Sequence, residues 1–392
     1  MKPLARVAAE IPPQGVRVIF ELAWKIPDAI HLEVGEPNFP TPAHIVEAAA
    51  LAVRDDRWHH YTPNAGIWSL REAIAEKMRS RNGLEVTPEQ VVVHAGAVEG
   101  IASILLALAE AGDEVLIPGL AWPNYEMFLR LQGATPVPYP LREENGFLPD
   151  PDEIARRITP RTKALFINTP GNPTGAVFPA ELLRTLVDLC RRYDLYLVSD
   201  EVYEDIVFDA PHVSAARFDT DGRVITLSGF SKGYAMTGWR IGYTVSPPRI
   251  AEVITKIQEP LISCTNAVAQ KAAEAALRGP QDVVEAMRQA YRRRRDMALD
   301  ILRREGLYRY TPQGAFYLLV DVRGAGEDSY AVAKALLREE KVAVAPGEAF
   351  GAQGRGLVRV SLASSEEAIR EGLTRLARFV RRPLHAPAAG DD

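Results

Sequence analysis

The region from residue 91 to about 245 alternates short apolar runs with longer stretches of helical pattern. The apolar runs barely alternate with polar positions, which is typical of strands that are covered on both faces. Since strands and helices follow each other in turn, we predict an α/β fold with a parallel or mostly parallel sheet. The predicted strands are 91–94, 114–118, 163–168, 195–198 and 223–227, and the predicted helices are 99–110, 125–132 and 181–193.

The pattern changes after about residue 280. A long helix is predicted over 281–304, where apolar residues recur at Val284, Met287, Ala298 and Ile301. The final residues, 385–392, are small or polar and are predicted to be frayed. Between the helix and this tail, strand and helix patterns mix as in a separate α+β unit, over 314–321, 330–340, 342–345, 357–363 and 366–381.

The composition is typical of a globular protein. The chain has 392 residues, of which 47% are hydrophobic and 25% charged, and this excludes a disordered or fibrous class. Its 46 basic and 51 acidic side chains give a net charge of −5, which argues against nucleic acid as the main partner. The run of four arginines at 292–295 lies on the predicted long helix and is interpreted as a solvated helix face.

Neither a membrane nor a secretory location is indicated by the sequence. The N-terminus lacks the apolar stretch of a secretory signal, and no window reaches the roughly 18 apolar residues of a membrane span. Cys190 and Cys264 are the two cysteines, too few for a disulfide framework or a four-thiolate metal site. We therefore expect a cytoplasmic protein without a metal centre.

The stretch 227–240 carries the most informative residues. Lys232, one of only nine lysines, stands in a turn rich in glycine and serine, directly after an apolar run. An amine in such a place can form a Schiff base if its surroundings lower its pKa. Ser231 and Arg240 are placed to supply a hydroxyl and a guanidinium to a phosphate group. The alternative interpretation is a surface lysine beside a structural arginine.

Two further loops follow predicted strands. Residues 168–175, which include Asn172, are too rich in turn formers to be only the start of a helix. Asp200 and Tyr203 place a carboxylate and a phenol at the end of another apolar run. Taken singly, each loop is typical of a turn or a helix cap. Ligands of parallel sheets bind at the loops beyond the strand ends, so these loops are candidates for one site.

Together these motifs resemble those of pyridoxal-phosphate-dependent enzymes of fold type I. The chain is most similar to the class I/II aminotransferases, and within them to the prokaryotic aspartate-aminotransferase-like branch. The resemblance extends from residues 35–42, through 61–66, to 358–363, and so covers nearly the whole chain.

The resemblance implies a fold of two domains. The large domain would span residues 46–284 and contain a mostly parallel, seven-stranded type of sheet flanked by helices. The small α+β domain would combine residues 1–45 with residues 285–392. The active site would lie between the two domains and at the interface of a homodimer.

The resemblance also implies roles for single residues. Lys232 resembles the lysine that binds the cofactor as a Schiff base and then moves a proton between the substrate Cα and the cofactor. Asp200 matches the carboxylate that pairs with the pyridine nitrogen, where a buried carboxylate keeps the ring protonated and electron-accepting. Tyr203 and Asn172 resemble the donors to the phenolic oxygen, and Trp122 resembles the aromatic residue stacked on the ring.

The phosphate of the cofactor would be held by Ser231, Arg240 and the backbone amides of Ala97 and Val98. These amides are predicted to open the helix that follows the first predicted strand, where exposed N–H groups favour an anion. Tyr61 resembles a tyrosine that reaches the phosphate from the neighbouring subunit. The resemblance therefore implies a homodimer with shared active sites.

On the substrate side, the family analogy points to three residues. Arg359 resembles the arginine that clamps the α-carboxylate of the substrate, a task suited to a planar bidentate donor. Gly35 stands where the family lets the substrate pass close to the backbone, and Asn172 is also expected to face the substrate. Thr265 is a weaker match to a second residue that contacts the neighbouring subunit.

Two positions depart from the family pattern. Gly229 stands where many relatives have a serine for the phosphate, so one hydroxyl contact is expected to be missing. Val98 stands where relatives carry a serine, a threonine or, in some aspartate-specific members, a lysine for the distal carboxylate. An apolar Val98 weakens the case for strict dicarboxylate specificity and leaves room for an aromatic donor. The segment 11–15 is similar to that of archaeal-type relatives, some of which use aromatic donors.

The function implied is amino transfer dependent on pyridoxal phosphate. The amino group of an L-amino acid, such as aspartate or an aromatic donor, would pass to a 2-oxo acid, by analogy 2-oxoglutarate. Ping-pong kinetics follow from the Schiff base of Lys232. A β-lyase or eliminating synthase is the alternative, because its cofactor motifs would be alike. A transcription regulator would need an additional DNA-binding domain, for which the extent of the family pattern leaves no room. A dinucleotide-binding or P-loop enzyme is not indicated either, because neither a G-x-G-x-x-G nor a P-loop motif is found.

Overall fold

The computed structural model describes residues 2–382, and the tail predicted over 385–392 lies outside this described part. The strands are β1 (Ile30–His31), β2 (Val91–His94), β3 (Glu114–Pro118), β4 (Thr135–Tyr139), β5 (Thr162–Asn168), β6 (Tyr196–Asp200), β7 (Val224–Gly229), β8 (Gly242–Val245), β9 (Tyr317–Asp321), β10 (Val342–Ala343), β11 (Ala345–Pro346) and β12 (Leu357–Ser361). The helices are α1 (Arg6–Glu10), α2 (Gly15–Ala23), α3 (Ala43–Val53), α4 (Trp68–Ser80), α5 (Ala97–Leu108), α6 (Asn124–Leu131), α7 (Pro151–Ala155), α8 (Ala180–Arg192), α9 (Pro248–Ile262), α10 (Ala267–Arg278), α11 (Asp282–Arg304), α12 (Ser329–Glu340) and α13 (Glu366–Arg381).

Seven strands form a large sheet in the order β2-β8-β7-β6-β5-β3-β4. All pairings are parallel except those of β8, which runs antiparallel to both of its neighbours. One face of the sheet packs against α8 through Leu116 and Leu186, and the other packs against α5 through Val115 and Ile104. Neighbouring residues of β3 thus enter opposite cores, which explains why its sequence is apolar without alternation.

The predicted α/β architecture with a mostly parallel sheet is confirmed. The five predicted central strands are all present, with ends shifted by at most two residues. Two strands of the large sheet, β4 and β8, are not predicted from the sequence. β4 contains Pro136 and Pro138, which an edge strand paired only with β3 can accommodate. β8 is short, begins at Gly242 and gains its regular structure from two antiparallel neighbours.

Both ends of the chain build a second core. β9, β11 and β12 form an antiparallel sheet, and β1 pairs in parallel with β10. Ile19 and Leu32 from the N-terminal segment are fully buried in the same cluster as Leu373 of α13 and residues of β9 and β12. This packing agrees with a small unit made from both termini, while the predicted boundaries at residues 46 and 284 stay a prediction.

The arginine run on α11 is not a wholly solvated face, so that interpretation is wrong for its second half. Arg294 is 7% exposed, and its Nη1 donates to Oδ1 of Asn38 at 2.8 Å. Arg295 is 4% exposed and forms an ion pair with Asp209. Of the first two arginines of the run, Arg293 is exposed and Arg292 is partly buried. The buried pair joins α11 to preceding loops and forms no basic surface for nucleic acid.

Within residues 2–382, no helix combines the length and the apolar character needed to cross a membrane. Both cysteines are free thiols. Burial raises the pKa of the Cys190 thiol to about 12. This thiol is therefore an unreactive core residue.

Candidate active site

A cavity of about 390 Å³ opens at the carboxyl ends of the parallel strands. Asn168, Asp200 and Gly229, the last residues of β5, β6 and β7, all line it. Such strand ends meet at one edge of the sheet, which is where ligands of this architecture bind. Of the residues predicted from sequence, those that line the cavity are Gly35, Ala97, Val98, Trp122, Asn172, Asp200, Tyr203, Ser231, Lys232, Arg240 and Arg359.

Lys232 reaches the cavity from the loop after β7. Its Nζ donates a hydrogen bond to the carbonyl oxygen of Gly35 at 2.7 Å and lies 6.0 Å from the ring centroid of Tyr203. Burial lowers the pKa of Lys232 to about 8, and the positive charge of Arg359 acts in the same direction. At neutral pH this amine is therefore uncharged in a larger fraction of molecules than an exposed lysine, as a nucleophile or base requires.

Asp200 is 3% exposed at the end of β6. Its Oδ2 accepts a hydrogen bond from the hydroxyl of Tyr125 at 2.5 Å, and its Oδ1 accepts one from the backbone N–H of Val202 at 3.2 Å. Burial raises the pKa of Asp200 to about 6, against the opposing effect of the bond from Tyr125. A buried carboxylate of this kind binds a cationic partner more strongly than one in water.

Arg359 places a buried cation at the other side of the cavity. It is 3% exposed, its Nη1 donates to Oδ1 of Asn172 at 2.9 Å, and its Nη2 donates to the carbonyl oxygen of Glu33 at 2.5 Å. Among the described residues, its Nε has no hydrogen-bond partner and no carboxylate lies within 4.0 Å of the guanidinium. A buried guanidinium without a counter-ion is prepared to bind a carboxylate from a ligand.

Two phenols and an amide complete this side of the cavity. The hydroxyls of Tyr203 and Tyr317 lie 2.9 Å apart. Because Oδ1 of Asn172 accepts the bond from Arg359, its side-chain nitrogen Nδ2 remains a donor, with no hydrogen bond to any of residues 2–382. Asn172 therefore keeps donor capacity beside the cavity that it lines, and the hydroxyl of Tyr203 can donate to a ligand when Tyr317 donates the bond between the two phenols.

The start of α5 forms a separate anion-binding site. No side chain caps this helix, and within the described part of the chain the backbone amides of Ala97 and Val98 have no hydrogen-bond acceptor. Glycines bring the surrounding groups close, because a Cβ at Gly96 would lie 2.5 Å from Nη2 of Arg240 and a Cβ at Gly242 would lie 2.6 Å from the nitrogen of Ala97. Free amides beside a guanidinium favour a phosphate.

The two departures from the family pattern both lie in this cavity. A Cβ at Gly229 would lie 3.1 Å from the Cα of Gly242, so β7 and β8 approach closely where many relatives have a serine. Val98 adds an apolar side chain at the start of α5. Ser231 lines the same region and is the hydroxyl of this loop beside Lys232.

A buried ion pair lies behind the lysine-bearing loop. Lys77 of α4 contacts Glu204 at 2.5 Å, and both side chains are less than a tenth exposed. Glu204 also accepts a bond from the hydroxyl of Ser228 in β7 at 2.6 Å. Asp205 packs on Gly233, where a Cβ would clash with its carboxylate. These contacts tie the turn after β6 to the loop after β7, and so fix the two catalytic candidates relative to each other.

Several residues that line the cavity are not predicted from the sequence. Tyr125, Tyr317 and Phe350 come from α6, β9 and the loop after β11, and Arg17 and Phe20 come from α2. No local signal marks these residues, because their positions depend on how distant segments pack. The sequence of α2 has an amphipathic pattern, but such a pattern does not distinguish a helix side that faces a cavity from one that faces solvent.

Tyr61 and Thr265 lie away from this cavity. Tyr61 is 91% exposed and does not line the cavity of its own chain. Thr265 is 2% exposed, and its hydroxyl donates to the carbonyl oxygen of Val93 at 3.1 Å. The hydroxyl of Thr265 is thus engaged within its own chain, and the weaker expectation that this residue contacts a neighbouring subunit stays a prediction.

The chain resembles known enzymes along almost its full length. Residues 27–376 match the family described as aminotransferase class I and II. The chain is 41% identical to the aspartate/prephenate aminotransferase of Thermus thermophilus, with 97% of each chain covered. It is 39% identical to aromatic-amino-acid aminotransferase 2 of Thermococcus litoralis, over 95% of this chain and 96% of that relative. The solved structure of the Thermus thermophilus aspartate aminotransferase with maleate matches with a TM-score of 0.92 at 40% identity, over 97% of this chain and 100% of that one.

The family match over residues 27–376 includes every strand of the fold and the residues Lys232, Asp200 and Arg359. These similarities confirm the family and the enzyme class that the sequence motifs indicate. The family uses pyridoxal phosphate, and its members transfer amino groups. The chain therefore belongs to the class I and II aminotransferases.

Proposed function

We propose that this aminotransferase binds pyridoxal phosphate and transfers the amino group of aspartate or an aromatic L-amino acid to 2-oxoglutarate. The observation that carries the proposal is the convergence of a buried amine, a buried carboxylate and two anion-binding places on one cavity of about 390 Å³. The named relatives act on aspartate, prephenate or aromatic amino acids, which supports this choice of donors.

The donor set of the cavity fits the cofactor. The amides of Ala97 and Val98, with Ser231 and Arg240, would hold the phosphate, because they combine free N–H groups, a hydroxyl and a guanidinium. Trp122 would cover one face of the ring. When bound, pyridoxal phosphate supplies an aldehyde that links to amines and a ring that accepts the electron pair left at the substrate Cα.

Lys232 would move the proton. Its Nζ would link to the aldehyde before substrate arrives. Once displaced, it would take the proton from the substrate Cα and deliver it to the cofactor carbon that carried the aldehyde. The lowered pKa suits this role, because the amine must be uncharged to accept a proton. The ring of Tyr203, 6.0 Å from Nζ, forms part of the cavity wall beside this amine.

Asp200 would hold a proton on the pyridine nitrogen. Its carboxylate is buried and fixed by the hydroxyl of Tyr125 and the N–H of Val202, so it has little freedom to turn away. Tyr203 and the amide nitrogen of Asn172 would donate to the phenolic oxygen of the ring. With the cofactor bound, these two donors would adjust the basicity of Nζ of Lys232.

Arg359 would bind the α-carboxylate of each substrate. Its contacts to Asn172 and Glu33 fix the plane of the guanidinium, and its unpartnered Nε leaves capacity for a carboxylate. Donor amino acid and acceptor oxo acid both carry this carboxylate, so one arginine serves both half-reactions. The enzyme keeps the amino group between the two substrates, and ping-pong kinetics follow.

Absorbance spectroscopy tests the function directly. The purified protein is measured before and after addition of a panel of L-amino acids. We expect a visible band that shifts to the near-ultraviolet with aspartate or aromatic donors and returns with 2-oxoglutarate. A band that persists while ammonia and an oxo acid accumulate would establish the β-lyase alternative instead. Absence of any band after addition of pyridoxal phosphate would overturn the cofactor assignment.

We also propose a homodimer with shared active sites. Tyr61 is 91% exposed, although large aromatic side chains are usually at least partly covered. A second cavity beside Arg240 is lined by Ala95, Gly238, Trp239 and Asn266 and is open to solvent. This cavity would receive Tyr61 of a second copy and bring its hydroxyl towards the phosphate place. A cytoplasmic location and a division into domains at residues 46 and 284 remain part of the proposal.

A further inference from the structure

Arg17 differs from the other cations of the cavity because it has no partner. It lies on α2, lines the cavity and is exposed. Within residues 2–382, its guanidinium forms no hydrogen bond and no ion pair, and its nearest aromatic neighbour is Phe20, at 5.7 Å from the ring centroid. A cation directed to a ligand cavity without a counter-ion is available for an anionic group of the ligand.

The position of Arg17 is set by packing on the other side of α2. Ile19 and Ala23 are fully buried, and a Cβ at Gly15 would clash with the hydroxyl of Tyr330. The helix is therefore held closely against its own chain. The side of α2 that carries Arg17 and Phe20 is turned to the cavity as a consequence.

The remaining cations of the cavity are already committed by the proposed function. Lys232 contacts the carbonyl of Gly35, Arg240 lies at the phosphate place, and Arg359 would hold the α-carboxylate. Val98 is apolar and cannot bind a second carboxylate. Arg17 is therefore the one cation among the described cavity residues left for a carboxylate on the substrate side chain.

Of the two acidic residues that line the cavity, Glu36 strengthens this assignment. Glu36 accepts a hydrogen bond from Thr237, and its charge acts on Lys232, so it lies on the side of the cavity where the chemistry occurs. A substrate side-chain carboxylate would be repelled from that side. Towards α2 it would meet Arg17, and an uncharged aromatic side chain would meet Val16 and Phe20 there instead.

We propose that Arg17 is the specificity residue that binds the side-chain carboxylate of dicarboxylic substrates, and that aromatic substrates occupy the same space without using its charge. The proposal rests on the proposed function and deepens it. It assigns the dicarboxylic class to a single side chain of α2, and it predicts that the two substrate classes can be separated by one substitution.

The test compares Arg17→Gln and Arg17→Lys in the cofactor-loaded enzyme with the matched control Arg6→Gln. Arg6 is an arginine of α1 that is 79% exposed, pairs with Glu10 and does not line the cavity. Transamination is measured with L-aspartate, L-glutamate and L-phenylalanine. Binding of maleate, an unreactive dicarboxylate, and of 3-phenylpropanoate is measured by calorimetry.

For Arg17→Gln we expect kcat/KM for aspartate and glutamate, and the affinity for maleate, to fall about 10- to 100-fold, as for the loss of one charged hydrogen-bonded contact. Phenylalanine and 3-phenylpropanoate should change by less than about threefold, since an apolar contact is not lost. Arg17→Lys should retain part of the dicarboxylate preference, and Arg6→Gln should behave as wild type.

Equal losses for both substrate classes, or no loss for either, would overturn the role of Arg17. The same holds if wild type binds neither maleate nor dicarboxylic amino acids. If wild type transaminates nothing at all, the proposed function fails, while the maleate measurement still reports separately whether Arg17 binds a dicarboxylate.

Discussion

Lys232 and Asp200 show how burial prepares two residues for opposite tasks. Burial disfavours the charged form of each group, and so lowers the pKa of the amine to about 8 and raises that of the carboxyl to about 6. The pKa values of the two groups therefore lie closer to each other, and to neutral pH, than they would in water. Each residue can therefore exchange a proton more readily than its exposed counterpart.

Replacing Lys232 by Ala should abolish transamination, with turnover reduced by at least about 10³-fold, because nucleophile and base are lost together. The fold should remain, since the side chain lines a cavity and the change removes a desolvated amine together with a short apolar stem. Steady-state rates with aspartate and phenylalanine, together with a thermal melt, check both statements. A variant that keeps wild-type turnover would disprove the assignment of Lys232.

The carboxyl of Asp200 predicts a conflict between stability and activity. Its pKa is about 6 in the folded protein and 3.8 in an unperturbed carboxyl, so the folded state binds more protons between these values and loses stability as pH rises through them. Above about pH 6 the full cost of an ionised buried carboxylate is present, roughly 2–3 kcal/mol.

Asp200→Asn should remove this cost in the cofactor-free protein. The free energy of unfolding should then exceed that of wild type by about 2–3 kcal/mol at pH 7 and by almost nothing at pH 4. Urea unfolding at both pH values provides the measurement, and activity should be lost in parallel. A gain of equal size at both pH values would show that the ionisation of Asp200 is not its source.

Sequence alone identifies the residues whose chemistry is unusual for their place in the chain. Lys232, Asp200 and Arg359 lie in motifs that resemble a family, and the structure brings all three to one cavity. Tyr125 and Arg17 carry no such local signal. A tyrosine in an amphipathic helix and an arginine on an exposed face are ordinary residues until tertiary packing places them beside a cavity.

At the scale of secondary-structure elements, α5 and β8 together form the proposed phosphate-binding site. α5 begins with uncapped amides, and β8 approaches it so closely that only a residue without Cβ fits at position 242. The sequence predicts α5 but not β8, because β8 begins with a glycine and, unlike the valine run of the equally short β2, contains a single aliphatic residue. The close approach is a property of the pair of elements and cannot be read from either alone.

Gly242→Ala should weaken cofactor binding about 5- to 100-fold, because the new methyl group displaces the nitrogen of Ala97 at the start of α5. Arg6→Gln is the control, since Arg6 is exposed, pairs with Glu10 and lines neither cavity. Titration of the cofactor-free proteins with pyridoxal phosphate, followed by absorbance, gives the dissociation constants. Equal effects of the two substitutions would contradict the role of the close approach.

For the whole molecule, the exposed Tyr61 predicts that two chains build each site. Co-expression of Lys232→Ala with Tyr61→Ala would then form mixed dimers that contain one intact site, made from the lysine of one chain and the tyrosine of the other. Random pairing predicts about a quarter of wild-type sites. We expect activity well above that of either variant alone.

Rates of the co-expressed and separately expressed variants are compared after the same purification, and sedimentation gives the oligomeric state. Recovery of activity only in the co-expressed sample supports shared sites. A monomer with full activity, or a sum of the two separate rates, would contradict the homodimer proposal.

The pairing of β1 with β10 has a consequence for how the enzyme is made on the ribosome. Leu32 accepts a hydrogen bond from the backbone of Ser361, and Ile30 donates one to the carbonyl of Lys341, so the first segment depends on partners from the end of the chain. The large sheet can form early, because its strands all precede residue 246. The emerging N-terminal segment must wait unpaired until β10 and β12 have been synthesised. A nascent chain therefore carries Lys232 long before it can enclose a substrate.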